Sequence, residues 1–300
     1  MNEWTAEAIR QQVEAVSYWH YAFDLGHGIV TRPGHGDSRR QAQRLAYLFP
    51  PLLHLTGGTL RGLTVLDVGC NQGFWSLEAA QAGAEAVLGL EGRPEHVEAA
   101  RFVADVLNVP NVTFETQDIL DPELAARGPF DVVLCLGLLY HVDRPLELLE
   151  RLRSLTRRWL LLDTSVVDVN APVLHLLFED PEDPRNAVGD GLVAVPSREA
   201  VERMLWHVGF HAVWCLPQRS ADLPPAYLQG RRSAWIAECR SAGQEGLTGA
   251  GETGLLQAVP DNAARRRRPD VLNPLAAEPL GQFVRQKLRQ LSYTSKRGQG

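Results

Sequence analysis

The run Asp67-Val68-Gly69-Cys70-Asn71-Gln72-Gly73 constrains this chain more than any other segment. It follows the apolar residues Thr64-Val65-Leu66 and precedes a helical pattern that starts at Phe74 and stops near Gly83. A strand that turns through glycines into a helix lets backbone N–H groups at the helix start approach an anionic or nucleotide-like ligand. The acidic side chain at the strand end adds a hydrogen-bond acceptor beside them. Asn71, between the two glycines, is of the residue type that best tolerates positive φ after glycine. A turn that needed glycine and binds nothing stays open as the bland alternative. A dinucleotide-binding turn, Gly-x-Gly-x-x-Gly, would need glycines where Asn71 and Phe74 stand, and a bulky Phe fills the position for close helix–strand packing. The nicotinamide or flavin reading is set behind for that reason.

Beyond this turn, apolar runs and helical patterns alternate. Strands are expected at 64–68, 86–90, 112–115, 130–136, 159–164, 212–215 and 233–239, and helices at 74–82, 95–107, 145–155 and 197–208. Val132-Val133-Leu134 and Leu160-Leu161-Leu162 are continuously apolar, as strands covered on both faces are. The alternation predicts an α/β fold with a seven-stranded, mostly parallel, doubly wound sheet. The last two strands, joined without a helix, predict an antiparallel edge. Residues 4–22 read as an amphipathic helix, Asp24 to Gly34 as a Gly-rich hairpin, and 38–48 as a second helix. From Ser241 to about Pro279 periodicity is lost, which predicts a mobile linker, and 280–293 read as a short basic helix. The expected organisation is a helical lid and hairpin at 1–44, a catalytic domain at 45–240 and a tail at 241–300.

Charge and cysteine content narrow the function classes. The net charge is −6, and nine basic against five acidic residues from Ser241 onward leave about −10 on the first 240. An acidic body is a poor surface for a phosphate backbone, which favours a small-molecule substrate over a nucleic acid. No apolar run approaches the roughly 20 residues of a membrane span, so no membrane partner is expected. Cys70, Cys135, Cys215 and Cys239 are widely spaced and read as free thiols in a reducing cytoplasm. No metal site is expected from their spacing, and nothing in the chain predicts its oligomeric state.

The segment 67–73 resembles the first motif of class I S-adenosylmethionine-dependent methyltransferases, an acidic residue followed by Gly-x-Gly-x-Gly with Asn71 in place of the middle glycine. The resemblance extends from about Leu63 to Cys239. It implies a Rossmann-like fold, S-adenosylmethionine as cofactor, and cofactor contacts at Asp67, Gly69, Asn71, Gly73, Glu91, Asp118 and Leu136. By the same resemblance Glu91, ending Val87-Leu88-Gly89-Leu90-Glu91, accepts the ribose hydroxyls. Asp118 faces the adenine amino group, with a loop or helix-capping role as its alternative. Trp19-His20-Tyr21, Asp24-Leu25-Gly26 and Tyr140-His141 resemble one subgroup, the wobble-uridine tRNA carboxymethyl-type enzymes and their small-metabolite relatives. Val142 and Asp143 depart from that pattern, where basic residues are expected in the tRNA enzymes.

Candidate chemistry outside the cofactor set is local. The fourth strand ends in Leu136-Gly137-Leu138-Leu139-Tyr140-His141, at the edge where ligands bind in open α/β sheets. His141 is the first candidate general base and His20 the second, with Tyr140 beside them; the alternative is a histidine that only hydrogen-bonds its loop. Trp19 and Tyr21 are candidate substrate contacts on a lid over the cleft. Glu179 could hold an amine or hydroxyl of a substrate, or belong to a solvated acidic loop. The expected function is methyl transfer to an O, N or S nucleophile of a small metabolite. A tRNA-modifying enzyme and a non-catalytic cofactor-binding protein are the alternatives.

Overall fold

The computed structural model describes residues 4–34, 38–187, 191–240 and 254–261. Its centre is a sheet in the order β10-β8-β9-β5-β4-β1-β2-β3. The strands β1 (Thr64–Val68), β2 (Ala86–Glu91), β3 (Val112–Thr116), β4 (Phe130–Leu136) and β5 (Thr156–Ser165) run parallel. β9 (Arg232–Glu238) is antiparallel to β5, and β8 (Ala212–Cys215) is antiparallel to β9. The seven strands read from periodicity are all present. An eighth, β10 (Gln257–Ala258), pairs with β8 inside the stretch expected to be a linker. The helix expected at 280–293 lies outside the described residues.

The apolar runs are covered on both faces. On β4, Val132, Leu134 and Leu136 join one core, and Val133 and Cys135 join the other. The first core holds α2 (Arg39–Leu55), α3 (Phe74–Gln81) and α4 (Pro94–Val106). The second holds α5 (Pro145–Leu155) and α6 (Arg198–His207). Trp159 and Trp235 are buried in opposite layers. Burying side chains of this size is worth roughly 1.5–3 kcal/mol each, which ties the antiparallel edge to the parallel centre. All four cysteines are free and buried.

Further differences from the sequence reading lie in the N-terminal segment, in an inserted hairpin and in the length of the second helix. The first helix, α1, ends at Ala15, capped at its start by Thr5. Residues 17–25 are not helical: the chain bends at Ser17, His20 and Tyr21, and Trp19, Tyr21, Phe23 and Leu25 alternate inward, a period of two. The chain then closes the expected tight loop, with Asp24 bridged to Val30 and Thr31 Oγ1 donating to the Tyr21 carbonyl. The second region is the hairpin β6 (Leu174–Phe178) and β7 (Leu192–Pro196), inserted between β5 and α6. The helix α2 runs through Pro50 and Pro51 beyond the expected stop at 48, because Phe49, Leu52 and Leu55 are buried on the next turn.

Candidate active site

The chain runs from β1 outward through β2 to β3 and returns to β4 on the other side of β1. The carboxyl ends of β1 and β4 therefore diverge, the place where open α/β sheets bind ligands. A cavity of about 760 Å³ opens there, within the roughly 300–1,000 Å³ of small-molecule clefts. One end is lined by Gly69, Asn71, Glu91, Arg93 and the loop Thr116–Leu120, and the other by His20, Tyr21, Arg40, Arg44, Tyr140, His141, Glu179 and Arg232.

The glycine turn takes the geometry its residues permit. Gly69, Asn71 and Gly73 have φ of +67°, +50° and +82°, left-handed conformations that an asparagine tolerates and a bulky residue does not. A Cβ at Gly73 would lie 2.6 Å from the Phe114 ring. Gly73 is therefore required for close helix–sheet packing, and it stands behind the cleft wall rather than on it.

Asp67 also stands behind the wall, 1% exposed. Its Oδ2 accepts from Ser76 Oγ at 2.6 Å, and its Oδ1 has no partner among the described residues. Burial pushes this carboxyl up to about 7, against the bond from Ser76. Glu91 ends β2 and accepts from the backbone N–H of Asn71 at 2.9 Å and of Arg93 at 3.0 Å, one at each oxygen. Each oxygen keeps a further acceptor position. Asp118 is exposed at the cleft, and its Oδ1 accepts from Leu120 N–H; the loop role and the cleft position coincide. The Leu136 side of the cleft is fixed by Arg44, whose Nη2 donates to the Leu136 carbonyl at 3.1 Å.

At the other end, Tyr140 and His141 share a 3-10 turn (Leu139–His141), with ring centroids 3.9 Å apart. His141 Nδ1 lies 2.6 Å from Glu179 Oε2, and both side chains are 13% exposed. Burial pulls His141 down, but the charges of Tyr140 and Glu179 hold it above its ordinary value. Burial alone would raise Tyr140; His141 and Arg232 bring it down to about 8. Glu179 is thus engaged by a histidine through Oε2 while lining the same cavity.

Two segments roof this end. From the N-terminal strap, His20 and Tyr21 reach the cleft, and Tyr21 stacks on Phe74 at 5.0 Å. Trp19, expected to touch substrate, points into the core with its Nε1 donating to the Val13 carbonyl. The period-two alternation explains the split: 19, 21 and 23 face inward, yet Tyr21 sits where the core meets the cleft. From the hairpin, Pro184–Ala187 lines the cleft, held by Arg93 Nη1 donating to the Asn186 carbonyl at 2.9 Å.

A buried charge cluster escaped the sequence reading. Asp163 is fully buried and accepts from Arg44 at 2.5 Å, Arg232 at 2.7 Å and Tyr227 at 2.8 Å. These arginines keep its carboxyl below the ordinary range although burial opposes them. Arg40 lines the cleft nearby, where burial, Arg44 and Arg232 lower its guanidinium. The signal was present for Arg44: it sits four residues before Leu48 on the face that buries Leu52 and Leu55. Gln72 was also passed over. It is fully buried, accepts from His20 N–H and donates to the Tyr18 carbonyl, clamping the strap to the glycine turn.

The residues present fit an adenosyl cofactor with an amino-acid arm. The orphaned Asp67 Oδ1 is an acceptor in want of a donor. The turn Gly69–Gly73 offers close backbone approach, and Glu91 has spare acceptor positions on the cleft wall.

Comparisons with known proteins agree. The sequence pattern of a family described as "Methyltransferase domain" matches residues 35–214. A tRNA U34 carboxymethyltransferase of Pseudomonas aeruginosa (strain LESB58) is 32% identical over 160 residues, 52% of this chain and 48% of that protein. The homologous enzyme of Azotobacter vinelandii is 31% identical over 219 residues, 72% of this chain and 63% of that one. A ubiquinone biosynthesis O-methyltransferase of Neisseria meningitidis serogroup C is 32% identical over 119 residues, covering 39% and 50%. The chain spans about half the length of most of these curated relatives. Among solved structures, the N-terminal domain of EvdMO1 crystallised with SAH and D-fucose superposes with a TM-score of 0.63 at 22% identity, covering 79% of this chain and 98% of that one. With the strand order, the glycine turn and the orphaned acidic residue already in place, these matches assign the chain to the class I S-adenosylmethionine-dependent methyltransferases.

Proposed function

We propose that the protein transfers a methyl group from S-adenosylmethionine to an O, N or S nucleophile of a small metabolite. With the cofactor bound, Glu91 would accept the ribose hydroxyls, Asp118 would face the adenine, Gly69 and Asn71 would lie against the methionine arm, and Asp67 would support the turn from behind. The cofactor, when bound, supplies an electrophilic methyl group and a thioether leaving group. The chain's own part is to position the acceptor and exclude water. Where the acceptor carries a proton, His141 takes it, and Tyr140 and His20 shape the same pocket.

The observation that carries the small-acceptor reading is the roof. The strap residues His20 and Tyr21 and the hairpin residues Pro184–Ala187 both close on the acceptor end of one cavity. The acidic body supports the same reading, and buried free thiols fit a reducing compartment. Labelled methyl transfer into a fractionated cell extract tests it. Label in the low-molecular-mass fraction supports the proposal. Label in tRNA, with salt-sensitive tRNA binding on filters, overturns it.

One observation favours a second reading. Arg44 and Arg232 share a single carboxylate, Asp163, while Arg40 lines the same acceptor end, and relatives are named carboxymethyltransferases. The transferred group in that reading carries a carboxylate held by these arginines. Competition between S-adenosylmethionine and a carboxylated sulfonium analogue separates the two. Binding without turnover on any extract fraction would instead leave a cofactor-binding protein.

A further inference from the structure

We propose that Glu179, from the inserted hairpin, is the positioning residue of His141, fixing which ring nitrogen is basic and orienting it in the cleft. This rests on the methyltransfer reading and narrows the acceptor to a nucleophile that must lose a proton, of which a hydroxyl is the simplest.

The geometry is a closed one. His141 Nδ1 stands 2.6 Å from Glu179 Oε2, and the same oxygen accepts from Ala187 N–H at 2.8 Å. An ionised carboxylate only accepts, so the Nδ1 of neutral His141 carries the proton and Nε2 carries the lone pair. The carboxylate is itself held in place. Glu179 N–H donates to the Gly191 carbonyl at 2.8 Å. Gly191 has φ +78°, and a Cβ there would run into the Glu179 carbonyl. Only glycine closes the hairpin this tightly over Glu179. Arg93 ties the far side of the loop, at Asn186 and Ala187, to the residue pair beside Glu91. The hairpin therefore joins the cofactor end of the cleft to the acceptor end.

Ionisable groups face His141 from several elements: Arg40 of α2, Arg185 of the hairpin loop, Asp143 just after its own turn and His20 of the strap line the same cavity. Tyr140 is on its own turn and Glu179 comes from the hairpin. Arg232 on β9 and Arg44 on α2 both donate to Asp163 on β5, with Arg232 over the Tyr140 ring. Glu147 of α5 pairs with Arg144, and β7, which packs on the same turn, carries no charged residue. Of these, Glu179 reaches the imidazole at Nδ1 from outside its own turn, and the neighbouring Tyr140 also hydrogen-bonds it.

The step is a proton transfer. As the acceptor oxygen formed its bond to the methyl carbon, the sulfonium C–S bond would break and the thioether would leave with that electron pair; the acceptor O–H bond would break and an N–H bond form at His141 Nε2. Nδ1 keeps its own proton, and the resulting imidazolium faces the Glu179 carboxylate. The proton leaves to water after turnover, so nothing is oxidised or reduced.

Histidine-labelled NMR on the full chain tests this without a known acceptor, with H141Q assigning the resonance. Wild type is expected to show the Nδ1–H tautomer and a midpoint above the ordinary value of about 6.5. Glu179→Gln lowers that midpoint by at least half a pH unit, Glu179→Asp restores most of it, and S-adenosylhomocysteine affinity stays within twofold in both. An Nε2–H tautomer in wild type, or an unchanged midpoint in Glu179→Gln, overturns the proposal. In the methyl-transfer assay on the active extract fraction, the acid limb of the rate moves with the NMR midpoint; a limb that stays put in Glu179→Gln also overturns it. Absence of S-adenosylhomocysteine binding would sink the cofactor reading and leave the NMR comparison to speak for the pair alone.

Discussion

Glu91 and Asp67 show how two acidic residues near one turn are set to different tasks by their surroundings. Glu91 is already bonded to two backbone N–H groups, so it is pre-oriented for a ligand and its loss affects the turn as well. Glu91→Ala is expected to cost about 1.5–3 kcal/mol of S-adenosylhomocysteine binding, the range for a charge-assisted contact, read by calorimetry. Unchanged affinity would remove Glu91 from the site. Asp67 is protonated in the folded ligand-free protein up to about pH 7, whereas an unfolded aspartate ionises near 3.8. The folded state thus binds an extra proton between those values, and stability falls as pH rises through that window, by on the order of 4 kcal/mol. Asp67→Asn is expected to flatten this slope in urea melts at pH 4.5 and 7.5; a slope as steep as in wild type would contradict the assignment.

At the scale of elements, the strap and the hairpin are the parts that adapt a common sheet to a particular substrate. Gln72 holds the strap by two backbone bonds from a fully buried position. Gln72→Ala leaves the His20 N–H and the Tyr18 carbonyl without these partners, at a cost of about 1–3 kcal/mol. Hydrogen exchange at His20 is expected to rise at least tenfold while the β4 and β5 amides stay protected; equal exchange in both proteins would show that the clamp is idle. The sheet strands were legible because a doubly covered strand must be continuously apolar, as Leu160-Leu161-Leu162 is. The strap was misread because Trp19, Tyr21 and Phe23 fit both a helix end and a period of two, and Thr31 and Gln41, which satisfy its backbone, come later in the chain. The hairpin was missed because Leu174, Leu176 and Phe178 lie on an exposed face, so burial does not mark that strand. Glu179 read as part of an acidic loop because its partner, His141, is 38 residues away.

At the scale of the whole molecule, Asp163 joins α2, β5 and β9 beneath the cleft, through contacts 119 and 69 residues apart in sequence. No local pattern could announce it. Asp163→Asn leaves Arg44 and Arg232 buried without their carboxylate and is expected to cost about 3–5 kcal/mol of stability, measured by urea denaturation. Because the folded carboxyl lies below its ordinary value, this contribution is present above the ordinary range and is lost only as pH falls through the lower folded value. A loss under 1 kcal/mol would mean that water reaches the cluster. The central claim is that the cleft between β1 and β4 holds the adenosyl cofactor with its sulfur end toward Tyr140 and His141. A crystal structure of the complex with S-adenosylhomocysteine tests it most directly. The complex is expected to show ribose hydroxyls on Glu91, adenine beside Asp118 and the sulfur facing His141. Density instead in the smaller cavity of about 410 Å³ between α2 and Leu216–Leu223, or a ligand reversed in the cleft, would contradict it.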